Sequence, residues 1–149
     1  MREVIPGAGP PWEDAEVTDT TGRSGLLAGD EVRLTLPSEP EYGRLARIAA
    51  AALALRAGFD YPEIEDLRIA LDEALILLLR PEGSPGVVTV VFRLGTEDLD
   101  IVATTTAGDD QHWVDAGARA RFDRIVGGIV DVAEVDDAGR RVHLVVRQR

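Results

Sequence analysis

The hydrophobic periodicity of the chain changes four times, and these changes constrain its fold more than any other feature. Residues 31–36 alternate apolar and polar side chains, which predicts a half-buried strand. Apolar residues then recur every three or four positions over 41–57 and again over 61–80, and this spacing predicts two amphipathic helices. Strand patterns return in Val87–Leu94 and 99–105, which predict two strands joined by a hairpin-length connection.

The remaining segments predict a third helix and a closing hairpin. Apolar spacing predicts the helix over 119–133, and its Gly127-Gly128 pair weakens it by roughly 1 kcal/mol per glycine. Short strands are predicted at 132–135 and 142–146 on either side of a turn. Grouping the helices on one face predicts an α+β fold, a two-layer sandwich of a mixed, mostly antiparallel sheet and about three helices.

Caps and core faces are predicted for the first two helices. Ser38 is a candidate cap for the first helix, Gly58 ends it, and Asp60 caps the second helix. The side chains predicted to face the core are Leu45, Ile48, Ala49, Ala52 and Leu55 in the first helix, and Ile64, Leu67, Leu71, Ala74, Leu75 and Leu78 in the second.

The chain divides near residue 30. Its 149 residues fit one domain, which we place at 31–149, and residues 1–30 are predicted to form an N-terminal tail. The tail holds three prolines and five glycines and has a net charge of −4, a composition typical of a solvated linker. The alternative is a segment that docks on the domain or on a partner through Trp12, Leu26 and Leu27.

Composition excludes several classes of protein. Without cysteine there is no disulfide framework, zinc ribbon or thiol nucleophile, and without lysine there is no Walker-type phosphate loop or Schiff base. A net charge of −11 argues against nucleic acid as a partner. No apolar run approaches the ~20 residues of a membrane helix, and the first residues do not resemble a signal peptide. We therefore expect a cytoplasmic protein that is not bound to a membrane.

The second predicted helix carries the main candidate for chemistry, Glu73. Ile69, Glu73 and Leu77 are four residues apart and so lie on one stripe of that helix. A carboxylate placed there can act as a general base or orient a water molecule. The alternative is a solvated carboxylate on a partly exposed face, which is common.

Several stretches resemble the bacterial anti-sigma-factor serine kinases, which belong to the gyrase, heat-shock-90, histidine-kinase and MutL ATPase superfamily. The similar stretches are 32–38, 41–47, 66–74, 129–135 and 140–144, and the resemblance extends over about 31–149. It implies a histidine-kinase-like ATPase fold and an ATP-dependent serine/threonine protein kinase that uses magnesium. It also implies a sigma factor or an anti-sigma antagonist as the protein partner.

The nucleotide motifs of that family are degenerate in this sequence. Glu73 matches the glutamate that helps to activate the nucleophile, but Leu77 stands where the family has a magnesium-binding asparagine. Thr104 stands where the adenine-binding aspartate falls, Gly108 alone resembles a motif glycine, and Asp109 lies farther along the loop. The glycine-rich lid that cradles phosphates is also missing. We therefore expect no metal and no cofactor, with ATP and magnesium bound only if the site still functions.

Three hypotheses of different classes follow. The favoured one is a regulatory binding protein that resembles an anti-sigma factor and has lost or weakened ATP binding and kinase activity. The second is an active serine/threonine kinase that phosphorylates an anti-sigma antagonist, with Glu73 as its base. The third is a homodimeric interaction module that uses the exposed faces of the first two helices.

A cluster of arginines on the third predicted helix leaves two interpretations open. Arg119, Arg121 and Arg124 can grip a carboxylate or phosphate, or they can pair with Asp123 and neighbouring acidic residues as solvated charges. We favour pairing. His143 lies in a strand pattern that predicts an outward-facing or edge position.

Overall fold

The computed structural model describes residues 29–79, 86–106, 116–136 and 140–149 and confirms an α+β fold. The strands are β1 (Glu31–Pro37), β2 (Val87–Leu94), β3 (Asp98–Thr105), β4 (Val132–Asp136) and β5 (Arg141–Arg147). The helices are α1 (Gly43–Ala57), α2 (Tyr61–Leu78) and α3 (Ala116–Val126), and a 3-10 turn at Pro40–Tyr42 precedes α1.

The strands form one five-stranded sheet in the order β1-β2-β3-β5-β4. Every described pairing is antiparallel, so these strands lack the parallel pairs that a mixed sheet would contain. One sheet face buries Val90, Ala103 and Val142 in a single cross-strand row beneath the helices. The helices cover that face, so the two-layer arrangement is confirmed. None of the described helices is both long and apolar enough to cross a bilayer.

The second helix folds as its sequence predicts. Asp60 accepts a hydrogen bond from the Glu63 backbone N–H at 2.9 Å, and the Glu63 carboxylate accepts one from the Asp60 N–H at 2.7 Å. This capping box satisfies two backbone donors at the start of α2. The predicted core side chains Leu67, Leu71 and Leu78 are fully buried, so this face of α2 is confirmed.

The core face predicted for the first helix is wrong. Leu45, Ile48 and Leu55 are 49%, 55% and 68% exposed, whereas Ala46 and Ala50 are fully buried. Ala52 is also exposed and Ala49 is half-buried. The helix carries two apolar stripes, and the one with small side chains faces inward because it allows a close approach to α2. That approach is tightest at Gly43, where a Cβ atom would lie 3.1 Å from the Leu79 side chain.

Of the two cap predictions for α1, the one for its end is confirmed and the one for its start is wrong. Gly58 ends the helix with a φ of 90°, as predicted, because glycine adopts the left-handed conformation without a steric penalty. Ser38 does not cap it: Glu39 precedes the 3-10 turn, with no hydrogen bond from its side chain. Ser38 is instead buried, and its hydroxyl has no hydrogen-bond partner within the described part of the chain. The intervening turn displaces α1 from the serine.

The third helix is shorter than predicted at its C-terminal end and longer at its N-terminal end. It ends at Val126, so Ile129 and Val130 lie in the turn before β4 rather than on the helix. The Gly127-Gly128 pair follows the last helical residue, which agrees with the low helix propensity of glycine. Gly127 also makes a close turn, since a Cβ atom there would lie 2.7 Å from the Asp123 carbonyl oxygen.

Candidate functional site

Glu73 lies on the side of α2 that packs against α3. Its side chain is 9% exposed, and Oε1 accepts a hydrogen bond from Arg121 Nη2 at 2.8 Å. The arginine reaches it from α3, with a side chain that is 53% exposed. The packing of two helices therefore brings together charges that are 48 residues apart in the sequence.

This ion pair changes what Glu73 can do chemically. A general base must meet its proton donor within hydrogen-bond distance, directly or through one water. Here the group within hydrogen-bond distance of Oε1 is the guanidinium of Arg121, which has no acceptor atom. The pair also compensates a carboxylate that is largely removed from water, so in this arrangement Glu73 has a clear structural role.

Leu77 lies one turn beyond Glu73 and is buried in the core with an exposure of 4%. Its aliphatic side chain offers no oxygen to magnesium, a cation that prefers oxygen ligands. No cluster of three or more acidic or histidine side chains suited to a metal ion occurs in the described part of the chain. The residues present here do not fit a magnesium ion.

Thr104 and Glu73 lie on opposite sides of the sheet. Thr104 pairs with Thr89 and Arg141 in the row that faces away from the helices, because side chains alternate along β3. Thr105 is the neighbour that points into the helical layer, where it is 6% exposed. The hydroxyl on the Glu73 side of the sheet is thus that of Thr105, which was not among the predicted nucleotide-site positions.

The other two predicted positions, Gly108 and Asp109, lie outside the described residues. The prediction that they lie close to Glu73 therefore stays a prediction. They remain sequence-based candidates for the phosphate-binding and adenine-binding part of the site.

The favoured interpretation of the arginine cluster, pairing as solvated charges, is confirmed for Arg119, whereas Arg121 binds a carboxylate that is largely buried. Arg119 Nε donates to Asp123 Oδ1 at 3.1 Å, one helical turn away, and Arg121 pairs with Glu73. The partner of Arg121 was missed, because the pattern of charges on α3 does not tell which acidic residue of another helix will face it. Arg124 is exposed.

His143 faces outward from the sheet, as predicted, but on an interior strand. Its Nε2 lies 3.0 Å from Asp100 Oδ2, and its Nδ1 lies 3.4 Å from Glu134 Oε2. The ring therefore bridges β3 and β4 across β5, on the sheet face away from Glu73.

Comparison with known proteins supports the resemblance seen in the sequence. No family model matches the chain. It is 50% identical over 75 residues to "Serine-protein kinase RsbW" of Listeria monocytogenes serotype 4a, covering 48% of each chain. It is 32% identical over 84 residues to the protein of that name in Bacillus pumilus, covering 53% of this chain and 52% of the relative.

This chain has serine-protein kinases as homologues. Bacillus cereus also has a protein named serine-protein kinase RsbW, which is 33% identical over 76 residues. The chain spans about half the length of the curated relatives it matches. The predicted resemblance to bacterial serine kinases is thus confirmed over that length, and the fold agrees with it.

Proposed function

We propose that this protein is a regulatory binding protein on the scaffold of the RsbW serine kinases, with lost or weak ATP binding and kinase activity. Its proposed partner is a sigma factor or an anti-sigma antagonist, the partner class implied by the family resemblance. Support comes from homology to proteins named serine-protein kinase, combined with an altered site in this chain.

The observation that carries the proposal is the burial of Leu77 one turn after Glu73. The side chain at the magnesium position is apolar and 4% exposed, so it belongs to the core rather than to a ligand site. A hydrogen bond to a charged group contributes roughly 1.5–3 kcal/mol. Loss of the metal ligand here and of the adenine-binding carboxylate at the end of β3, where this chain has threonines, should therefore weaken nucleotide binding by orders of magnitude.

The ion pair at Glu73 supports the same proposal. Arg121 Nη2 donates to the carboxylate that a kinase would need as its base. Activity would require the pair to open, and the half-exposed Arg121 to turn away. A protein whose task is to bind a partner requires neither step.

The direct test is a binding assay with the sigma factors and anti-sigma antagonists encoded in the source genome. Each purified candidate is titrated into the full chain with and without MgATP, and the products are examined by mass spectrometry. We expect a stable complex whose affinity does not depend on MgATP, with no added phosphate. A phosphoserine or phosphothreonine on the antagonist would contradict the proposal.

The alternative of an active kinase is favoured by one feature, the retained Glu73. Because Arg121 is 53% exposed, its guanidinium can leave the carboxylate without unpacking α3. In that case ATP and magnesium would be bound, and Gly108 and Asp109 would supply contacts that Thr104 does not. Turnover of MgATP that is lost in Glu73→Gln would support this alternative.

A homodimer is the second alternative, and the outer face of α1 favours it. Leu45, Ile48 and Leu55 expose about half or more of their surfaces there. Sedimentation equilibrium would decide, since a dimer through this face should dissociate on Ile48→Glu. The cytoplasmic location and the absence of a nucleic-acid partner remain predictions from the sequence.

A further inference from the structure

A groove runs between α1 and α2 on the side of the helices away from the sheet. It encloses about 540 Å³ and combines an apolar floor with a positively charged rim. The floor is formed by Ile48, Ala51 and Ile64. The rim is formed by Arg44, Arg47 and Arg68 together with one acidic residue, Glu65. Such a combination suits a ligand that presents an apolar group beside negative charges.

The rim has a surplus of positive charge, although the chain as a whole carries −11. Arg47 binds Asp72, and Arg68 Nη1 donates to Glu65 Oε1 at 2.6 Å. Arg44 is exposed and makes no ion pair with any residue that the structure describes. Arg47 and Arg68 also retain donors beyond those bonds, since a guanidinium has five N–H groups.

The leading segment, residues 1–28, has the complementary chemistry. Trp12 is a large apolar side chain, and four acidic residues follow it within seven positions: Glu13, Asp14, Glu16 and Asp19. An aromatic side chain followed by acidic residues matches the apolar floor and the arginine rim of the groove.

We propose that the leading segment docks in this groove of its own chain. The indole of Trp12 covers Ile48 and Ala51, and the acidic residues that follow it bind the arginines of the rim. The docked segment would shield part of the exposed apolar surface of α1.

The geometry of the first strand allows this docking. Gly29 is held beside β2 by a hydrogen bond from its N–H to the Leu94 carbonyl oxygen. The C-terminal end of α1 is tied to the same end of the sheet: Gln148 Nε2 donates to the Ala57 carbonyl, and the Gln148 N–H donates to the Glu97 carbonyl. The leading segment therefore joins the described domain at the end of the sheet where α1 finishes.

The length of the connection is sufficient. Gly29 lies 17 positions after Trp12, and a flexible linker of that length has a root-mean-square span of about 23 Å. The 15 residues of α1 extend about 22 Å. Because Trp12 is tethered within this distance, its effective concentration at the groove is on the order of millimolar, which favours it over a free ligand.

Fluorescence of Trp12 tests the proposal in the full chain. The sequence has two tryptophans, so Trp113→Phe leaves Trp12 as the single emitter. We expect a blue-shifted emission, protection from acrylamide, and no dependence on protein concentration. Arg44→Glu replaces an attraction with a repulsion and should lower the ratio of docked to free segment about fivefold, which raises the quenching of Trp12.

Arg124→Glu is the matched control, since it reverses another exposed arginine on α3, away from the groove. It should leave Trp12 fluorescence unchanged, and circular dichroism should confirm that both variants fold. The proposal is overturned by a Trp12 that is quenched like free tryptophan, or by quenching of Trp12 that is the same in Arg44→Glu as in the parent protein. Protection that appears only at high protein concentration would mean a second copy occupies the groove, and protection only on adding an acidic protein would mean a separate partner does.

Discussion

The outer surface of α1 and the α2–α3 site differ in which side chains they leave accessible to a ligand. On α1, Leu45 and Ile48 are about half exposed and Arg44 is accessible beside them. At the α2–α3 site, Leu77 is buried and the Glu73 carboxylate is bound by Arg121. One region offers apolar and charged surface to a ligand, while the other has its reactive group already occupied.

This contrast separates the capacity to bind from the capacity to react. A protein surface that exposes several large apolar side chains together is typical of an interaction site. Phosphoryl transfer depends instead on metal ions and positioned groups around the nucleotide. The features of this chain match the first requirement better than the second, which is the basis of the proposed function.

The largest effect is expected from Leu77→Asn, which attempts to restore the magnesium ligand. It places an amide and a cavity in the core, so the free energy of unfolding should fall by about 3–5 kcal/mol in urea denaturation. Leu77→Met is the matched control and should cost less than about 1.5 kcal/mol. The asparagine alone should not restore tight ATP binding, because the end of β3 still has threonines in place of the adenine-binding carboxylate. A micromolar dissociation constant for MgATP in this variant would refute the account.

The next effect distinguishes the two faces of α1. Ala50→Leu adds bulk where the side chain is fully buried, and it should lower the free energy of unfolding by about 1–3 kcal/mol through overpacking. Leu45→Ala removes bulk from the exposed face and should change it by no more than about 0.5 kcal/mol. Both values come from thermal or urea unfolding. A larger loss of stability in Leu45→Ala than in Ala50→Leu would mean that the stripe with the larger side chains faces the core.

A smaller effect is expected at the α2–α3 site. Arg121→Ala leaves the Glu73 carboxylate, 9% exposed, without its cation and should lower the free energy of unfolding by about 1 kcal/mol. Arg124→Ala removes an exposed arginine from the same helix and should have an effect within about 0.5 kcal/mol. Equal losses in urea denaturation for the two variants would show that the Glu73 pair has no special role.

The smallest effect concerns the sheet surface, which lies apart from both regions. Hydrogen bonds from Arg93 and then from Arg33 hold the pKa of Glu31 below its ordinary value. Because the pKa is depressed in the folded state, this stabilisation is present above the ordinary carboxyl pKa and is lost as the pH falls through the depressed one. The NMR titration midpoint of Glu31 should rise in Arg93→Ala, and an unchanged midpoint would exclude that cause.

Much of the fold follows from local patterns in the sequence. The strand β2 and the cap of α2 at Asp60 are where the strand pattern and the cap residue predict them. The core face of α1 could not be predicted from periodicity, since its two apolar stripes are both regular. Which stripe turns inward depends on how closely α1 approaches α2, and that is decided by Gly43 and the alanines.

The candidate site was predictable only in part. The stripe that contains Glu73 and Leu77 follows from helical spacing, and the structure places both residues on the inner side of α2. The side of the sheet on which Thr104 lies depends on the register of β3, and the partner of Glu73 depends on how α3 crosses α2. Both are tertiary features that short motifs do not encode.

The most direct test of the central claim is a calorimetric titration of the purified full chain with ATP and ADP, each with and without magnesium. The account predicts no heat of binding and no thermal shift at millimolar nucleotide, because the metal position is a buried leucine and the adenine anchor is absent. Magnesium-dependent binding in the micromolar range would contradict it and would place this chain among the functional kinases.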